Sequence, residues 1–183
     1  HAHADHIFGL DDVRVYSDVQ NTVIPCYGSA VTLNSICATF DYAFKHQANS
    51  QIRLLIPQLT PVEIDGPFQL CGVEVIPLNL LHGKMHVLGF RIGNFAYATD
   101  CNVIPETSID LLRGLDLLVL DALRWEPSHL SHFTIPEALE VVGELKPRQT
   151  YFTHVTHDVE HHSTNERLPE HVQLAYDSLI VEV

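Results

Sequence analysis

Short apolar runs alternate with amphipathic stretches along the chain, and this alternation predicts a layered α/β domain. The stretch Ser29–Phe44 carries apolar residues at nearly helical spacing and is predicted to be a helix. Thr134–Leu145 is the clearest helical segment: Thr134 can cap it, Glu137 follows three residues later, and Pro147 lies beyond its end.

Runs of aliphatic, aromatic and β-branched residues predict the strands. Leu115–Asp121 is almost continuously apolar and ends in an aspartate, which is typical of a strand buried on both faces. The other predicted elements are strands at Thr22–Cys26, Gln51–Gln58, Phe68–Ile76, Pro77–Leu81, Val87–Ile92, Phe95–Thr99 and Thr150–Thr153, a short helix at Glu106–Leu112, and a closing hairpin of Gln173–Tyr176 and Leu179–Val183. Because no repeat or Gly/Ser-rich linker interrupts the pattern, we predict a single domain over residues 1–183.

Composition narrows the functional classes. With 183 residues and 46% apolar residues, the chain can bury a core, and no apolar run approaches the roughly 20 residues that span a bilayer. The 10 basic against 23 acidic residues, a formal charge of −13, argue against a broad basic surface for nucleic acid. The four cysteines lack CxxC spacing and no signal peptide is visible, so we expect separate thiols and a cytoplasmic location.

Histidine is the unusual residue, with 13 copies, and the strongest motif is His1-x-His3-x-Asp5-His6. On an extended segment, two histidines two residues apart point to the same side. Divalent metals bind imidazole nitrogens and carboxylate oxygens that converge in this way. Four such side chains in six residues therefore predict a metal site rather than core packing.

Further ligand types follow predicted strands: His82 after Pro77–Leu81, Asp100 after Phe95–Thr99, and His154 after Thr150–Thr153. A single histidine at a strand end is more often a hydrogen-bonded structural residue. In layered α/β folds, however, sites form at strand ends, so the recurrence favours one shared site.

Five stretches together resemble the metallo-β-lactamase-fold hydrolases, and within them the branch of the phosphonate-pathway phosphodiesterase and the tRNA 3′-processing endonucleases. The stretches are HAHADHIFGLDDVR (residues 1–14), LLHG (80–83), YATDC (97–101), HLSHFTIPEAL (129–139) and YFTHVTHD (151–158). The resemblance implies an α/β fold of four αββα layers. It also implies that the strands normally preceding HxHxDH are missing, which would make the domain N-terminally incomplete.

The same resemblance implies two divalent metal ions, zinc or manganese, with iron also compatible. The implied ligands are His1, His3 and His82 for the first metal, Asp5, His6 and His154 for the second, and Asp100 as the bridge. A hydroxide between two cations has its pKa lowered towards 7 and would be the nucleophile. Asp5 would also orient or deprotonate that nucleophile.

The loop before the Thr134 helix supplies the implied general acid, because histidine titrates near neutral pH without perturbation. His132 matches the position that the phosphodiesterase branch uses, and His129 is its competitor. Asp121, at a strand end, is expected to support a ligand histidine. Asp11 and Asp12 are expected to brace the loop after the first motif.

The leading functional hypothesis is a dinuclear metal-dependent phosphodiesterase that acts on a small anionic substrate. A thioester or lactone hydrolase of the same fold is the alternative, and an inactive metal-binding fragment is the third reading. We expect no membrane partner and no extended nucleic acid, and we leave a homodimer open.

Overall fold

The structure, a computed structural model, describes residues 1–45 and 56–182. The chain divides into two compact units, His1–Gly66 and Pro67–Val183. Among the described residues, no helix is long and apolar enough to cross a membrane.

The first unit combines short helical turns with a small sheet. Helix α1 (Ala4–Ile7) leads through a 3-10 helix (Phe8–Val13) into α2 (Arg14–Val19). Strands β1 (Ile24–Gly28) and β2 (Leu59–Glu63) pair in parallel, and α3 (Ala30–Thr39) with a 3-10 turn (Asp41–Phe44) lies between them in the chain.

An apolar cluster and a group of side-chain hydrogen bonds stabilise this unit. Ile7, Ile36, Phe40, Ala43 and Leu59 form its buried apolar cluster. Asp11, in the 3-10 helix Phe8–Val13, accepts hydrogen bonds from Arg14 at 2.7 Å and from the Tyr42 hydroxyl of the 3-10 turn at 2.8 Å. Arg14 also donates to Asp12 at 3.2 Å. The expected bracing of the loop after the first motif is therefore present.

The second unit is built on a seven-stranded sheet. Its strands, in chain order and in spatial order alike, are β3 (Phe68–Leu70), β4 (Val73–His82), β5 (Met85–Ile92), β6 (Phe95–Ala98), β7 (Leu117–Asp121), β8 (Gln149–Thr153) and β9 (Val172–Leu174). Strands β3 to β6 pair antiparallel, and β6 to β9 pair in parallel. Parallel neighbours need crossover connections, which explains why helices follow β6, β7 and β8.

Three helices of this unit pack against the sheet, where alternate strand residues are buried. They are α4 (Glu106–Leu111), α5 (Ile135–Leu145) and α6 (His161–Arg167). Leu118, Leu120 and Phe152 are fully buried in the same apolar cluster as Ile135 and Val142 of α5. Because strand residues alternate between faces, this cluster fixes the direction in which the strands present their remaining side chains.

Several predicted elements are confirmed with small changes of boundary. The capping box of α5 forms as expected: the Thr134 side chain accepts from Glu137 N–H, and the Glu137 carboxylate accepts from Thr134 N–H at 2.7 Å. The strands predicted to end at Ile92 and Asp121 do end there. The mixed α/β fold class is confirmed.

Other predictions were wrong. The helix expected over Ser29–Phe44 ends at Thr39 and continues as a 3-10 turn. Phe68–Ile76 is interrupted at Cys71–Gly72, where both residues have positive φ. The closing hairpin is absent from the described residues, because Val172–Leu174 instead pairs in parallel with β8. The sequence pattern made no prediction for α6, which begins at His161.

Two further expectations concern the start and the middle of the chain. The first motif is extended only to His3 and turns into a helix at Ala4, where the sequence suggested an extended segment throughout. Residues 51–55 of the strand predicted at Gln51–Gln58 lie outside the described residues. The observed strand β2 begins at Leu59.

Gly89 tests the close packing of β5 in the sheet. A Cβ atom there would lie 2.8 Å from the Tyr97 carbonyl oxygen and 2.9 Å from Leu80 Cδ1. We expect Gly89→Ala to lower the free energy of unfolding by about 2 kcal/mol through overpacking. Gly143→Ala, in an exposed turn of α5 with open space around the new Cβ, should instead raise it by about 0.5 kcal/mol. Urea unfolding measures both, and equal effects would contradict the close approach.

Candidate metal centre

The parallel strands β6, β7 and β8 end at one edge of the sheet, and each delivers a polar side chain there. Asp100 follows β6, Asp121 is the last residue of β7, and His154 follows β8. Asp100 is 1% exposed and Asp121 is 0% exposed. Two carboxylates are thus buried close to imidazole nitrogens, which is costly unless they are hydrogen-bonded, paired or bound to metal.

Asp100 lies near two histidines of this unit. One of its oxygens is 3.3 Å from His154 Nε2. A carboxylate oxygen of Asp100 is also within 4.8 Å of a ring nitrogen of His82. His154 itself has a φ of 61°, a left-handed conformation that costs about 1 kcal/mol for a residue other than glycine. Such strain is found preferentially at functional sites.

His82, the last residue of β4, is held by the backbone of a distant loop. Its Nδ1 lies 2.8 Å from the carbonyl oxygen of Ser131. A carbonyl can only accept, so Nδ1 carries the proton and Nε2 carries the lone pair. A hydrogen bond from the second ring nitrogen to a carbonyl is the usual arrangement of a metal-binding histidine.

His132 is buried and is paired with a carboxylate. Its Nδ1 is 2.8 Å from Asp121 Oδ2, and that same oxygen accepts the Cys101 N–H at 2.9 Å. Burial raises the pKa of the Asp121 carboxyl, and the hydrogen bonds from His132 and Cys101 oppose that rise. Asp121 therefore fixes the orientation of His132, whereas the sequence suggested that it supports a ligand histidine.

Two of the predicted ligand histidines of this unit pack against the His132 ring. Its ring stacks on His154 at 4.4 Å between centroids and 15° between planes, and it meets His82 edge-on at 4.5 Å. Ligand atoms of Asp121, His132 and His154 all lie within 4.8 Å of one another. A proton-carrying side chain thus lies against two of the predicted metal ligands.

His129 differs from His132 in its environment. It is exposed, its ring lies 5.1 Å from that of His132, and its Nδ1 lies 3.3 Å from the Ser131 hydroxyl. Desolvation beside the group and the positive charges of His132 and Arg124 lower the pKa of His129. A lower pKa leaves a smaller fraction of His129 in the protonated form at neutral pH.

Cys101 does not offer a nucleophile. Its side chain is 0% exposed, and burial together with the charges of Asp121 and Asp100 raises the pKa of the thiol well above its ordinary value. Only the thiolate is reactive. Its backbone N–H, which binds Asp121, is the part that matters to the site.

The four N-terminal donors lie together in the first unit. His1 Nε2 is 2.9 Å from His3 Nδ1, and the rings of His1 and His6 are 4.3 Å apart. Asp5 Oδ2 is 3.6 Å from His6 Nε2. The turn from extended chain into α1 after His3 brings these side chains close together.

The donors fit divalent metal ions. Imidazole nitrogens and carboxylate oxygens are the set that zinc, manganese and iron accept. In addition, Asp121 Oδ1 is buried with no hydrogen-bond partner among residues 1–45 and 56–182, so this carboxylate oxygen can still accept a bond. The structure thus groups His1, His3, Asp5 and His6 in the first unit and His82, Asp100, His132 and His154 in the second.

Sequence reasoning missed one part of this arrangement. The Ser131 carbonyl that orients His82 carries no sequence signal, since every residue has a carbonyl. His157, three residues past His154, is 93% exposed in its side chain and lies 3.2 Å from Asp158, so it takes no part in the buried group.

Comparison with known proteins identifies the family and the fold. Residues 1–155 match the model of the Beta-lactamase superfamily domain. A solved structure described as a new diphosphatase from the PhnP family is 38% identical, with a TM-score of 0.87 over 98% of this chain and 66% of its own. The short form of human tRNase Z is 18% identical, with a TM-score of 0.69 over 100% of this chain and 76% of its own, which shows the fold alone.

A curated relative carries a different name. The octanoyltransferase of Porphyromonas gingivalis (strain ATCC BAA-308 / W83) is 33% identical over 180 residues, which are 98% of this chain and 36% of that protein. The chain therefore spans about a third of this relative and about two thirds of the diphosphatase.

The fold and the donor set define a metallo-β-lactamase-type domain. The chain belongs to the family of the Beta-lactamase superfamily domain. The expected family and fold class are confirmed by this match. The assignment of individual ligands and of the general acid stays a prediction.

Asp121 offers a test of the buried hydrogen bonds. Asp121→Ala leaves the Cys101 N–H and the His132 ring without their acceptor, so we expect the free energy of unfolding to fall by about 3 kcal/mol in urea. Asp110→Ala, which removes an exposed ion pair with Arg113, should change it by less than about 1 kcal/mol. Similar effects of the two substitutions would show that Asp121 is not a buried anchor.

Proposed function

We propose that the domain is a dinuclear metal-dependent phosphodiesterase. The observation that carries the proposal is the His132–Asp121 pair, buried against His82 and His154. A hydrolase that expels an alkoxide needs a proton donor beside its metals, and this pair supplies one. Family membership supports metal-dependent hydrolysis.

The ligand assignment is part of the proposal. His1, His3 and His82 would hold the first metal, Asp5, His6 and His154 would hold the second, and Asp100 would be the ligand shared by both. The nearness of Asp100 to both His82 and His154 supports its bridging role. Two divalent cations, zinc or manganese, would supply a water of lowered pKa and a Lewis acid for the phosphoryl oxygen.

The chain's own residues then divide the remaining work. Asp5 orients the attacking water or accepts its proton. His132 donates the proton from Nε2 to the leaving oxygen, while its Nδ1 keeps its proton and donates a hydrogen bond to Asp121. The imidazole is held by this bond in one orientation, so the proton is delivered in one direction.

The environments of the two loop histidines favour His132 over His129 as general acid. His132 is buried, and its Nδ1 lies 2.8 Å from Asp121 Oδ2, which holds the ring in one orientation. His129 is exposed, and its pKa is lowered by its surroundings.

The substrate that fits is a small anionic phosphodiester. The neighbour described as a diphosphatase from the PhnP family supports phosphoryl chemistry. The formal charge of −13 provides no broad basic surface for an extended nucleic acid. The proposal includes a cytoplasmic location and leaves a homodimer open.

A second candidate is hydrolysis of an acyl thioester or lactone. The relative named octanoyltransferase favours it, because that name denotes acyl chemistry. This chain matches 36% of that protein.

Metal content tests the proposed centre. After chelator treatment and reconstitution, we expect two divalent cations per chain, and His154→Ala should lose about one of them. His157→Ala, an exposed neighbour, should keep both. The measurement is elemental analysis of the dialysed protein. Less than about one metal per chain, with no hydrolysis after Mn²⁺ or Zn²⁺ is added, would leave the inactive-fragment reading in place.

Leaving-group dependence tests the role of His132. We expect His132→Ala to lower kcat about 10²-fold or more for a 2′,3′-cyclic nucleotide, which expels an alkoxide. The loss should be much smaller for bis(p-nitrophenyl) phosphate, because p-nitrophenolate departs without a proton. His129→Ala serves as the matched control and should affect both substrates little.

The same assay separates the two candidate functions. Wild-type chain and His132→Ala are also tested on a thioester and a lactone. Faster acyl hydrolysis that is insensitive to His132→Ala would replace the phosphodiesterase proposal with the acyl one. Equal losses on both phosphodiesters would remove His132 as general acid.

A further inference from the structure

The side chain of Asn102 ties together two loops that flank the candidate centre. Its Oδ1 accepts the Gly83 N–H at 2.8 Å, directly after His82. Its Nδ2 donates to the Leu130 carbonyl oxygen at 3.1 Å, two residues before His132. One planar amide thus provides an acceptor for one loop and a donor for the other.

The loop that Asn102 holds is the loop that orients His82. The residue after Leu130 is Ser131, whose carbonyl oxygen lies 2.8 Å from His82 Nδ1. The two loops also approach closely, since a Cβ on Gly83 would lie 3.4 Å from the Leu130 oxygen. A shift of the Leu130–Ser131 backbone would therefore misalign the carbonyl that fixes the His82 tautomer.

Asn102 is itself held by backbone bonds. Its N–H donates to the Leu81 oxygen at 2.9 Å. Its neighbour Cys101 accepts from Phe133 N–H at 3.0 Å and donates to Asp121. The amide therefore projects from a segment fixed on both sides, and it can transmit that rigidity to the two loops.

We propose that Asn102 is a positioning residue of the metal centre: by holding the Leu130–Ser131 backbone, it keeps His82 in the Nδ1–H tautomer with Nε2 directed to the metal. The inference rests on the proposed function in so far as His82 is a metal ligand. Groups that orient metal-binding histidines typically change metal affinity 10- to 100-fold when removed.

The first measurement is zinc affinity of the full chain by competition with a chromophoric chelator. We expect Asn102→Ala to weaken one of the two zinc equivalents by about tenfold. In a His82→Ala background, the same substitution should change affinity by less than about twofold, because the residue through which Asn102 acts is gone.

A matched control is Asn165→Ala. Asn165 also accepts a backbone N–H with its amide oxygen, from Leu174 at 2.8 Å, but it lies on α6. Asn165→Ala should lower the melting temperature as Asn102→Ala does, while the affinities for both zinc equivalents stay unchanged.

The second measurement needs no metal. Nitrogen-15 NMR of the metal-free chain should show His82 as the Nδ1–H tautomer in the wild type and as a mixture in Asn102→Ala. If the alanine variant does not fold, Asn102→Asp is used, since it keeps an acceptor for Gly83 and loses the donor to Leu130. It should give the same tautomer mixture.

The outcomes separate this inference from the proposed function. If the wild-type chain binds no zinc, the proposed metal centre is contradicted. The His82 tautomer in the Asn102 variants then still tests the positioning role of Asn102. The inference is overturned if Asn102→Ala leaves both zinc affinity and the His82 tautomer unchanged. It is also overturned if the tenfold loss persists in the His82→Ala background.

Discussion

Parallel pairing of β6, β7 and β8 is the constraint on which the candidate centre of the second unit depends. Since parallel strands run in one direction, their carboxyl ends meet at one edge of the sheet. Asp100, Asp121 and His154 are therefore neighbours in space although they are far apart in the chain. Their directions follow from the buried alternate residues, such as Leu118, Leu120 and Phe152, which commit one face of the sheet to the helices. The packing of the apolar core therefore also sets the positions of the polar side chains in the site.

The burial of carboxylates at this edge has an energetic consequence. Asp121 is completely buried, and desolvation of a carboxylate costs several kcal/mol unless it is compensated. Its compensation comes from the Cys101 N–H and from His132, so the anchor that stabilises the carboxylate also orients the proposed general acid. The same segment continues into Asn102, whose amide reaches the loops of His82 and His132. Stability and positioning are thus carried by the same few residues, and substitutions there should affect both.

Much of the site could be predicted from the sequence. The motif His1-x-His3-x-Asp5-His6 and the ligand types after strands indicated a metal centre, because dense imidazole and carboxylate groups have few other uses. Periodicity located α5 and β7, whose patterns are long and regular. It failed for the last hairpin, because β9 is only three residues long and is specified by its parallel partner rather than by its own pattern. It also failed at Cys71, where a turn with positive φ divides a run of good strand-forming residues.

The sequence by itself determined which chemical groups are available: seven proposed metal ligands, two loop histidines and an aspartate at the end of a buried strand. These follow from residue type and local spacing, which are properties of the chain alone. Only the tertiary structure decided how the groups of the second unit are partnered. It paired Asp121 with His132, used the Ser131 carbonyl to set the His82 tautomer and linked the loops through Asn102. Such partners are separated by 11 to 49 positions and include backbone atoms that every residue has, so only the folded register can bring them together.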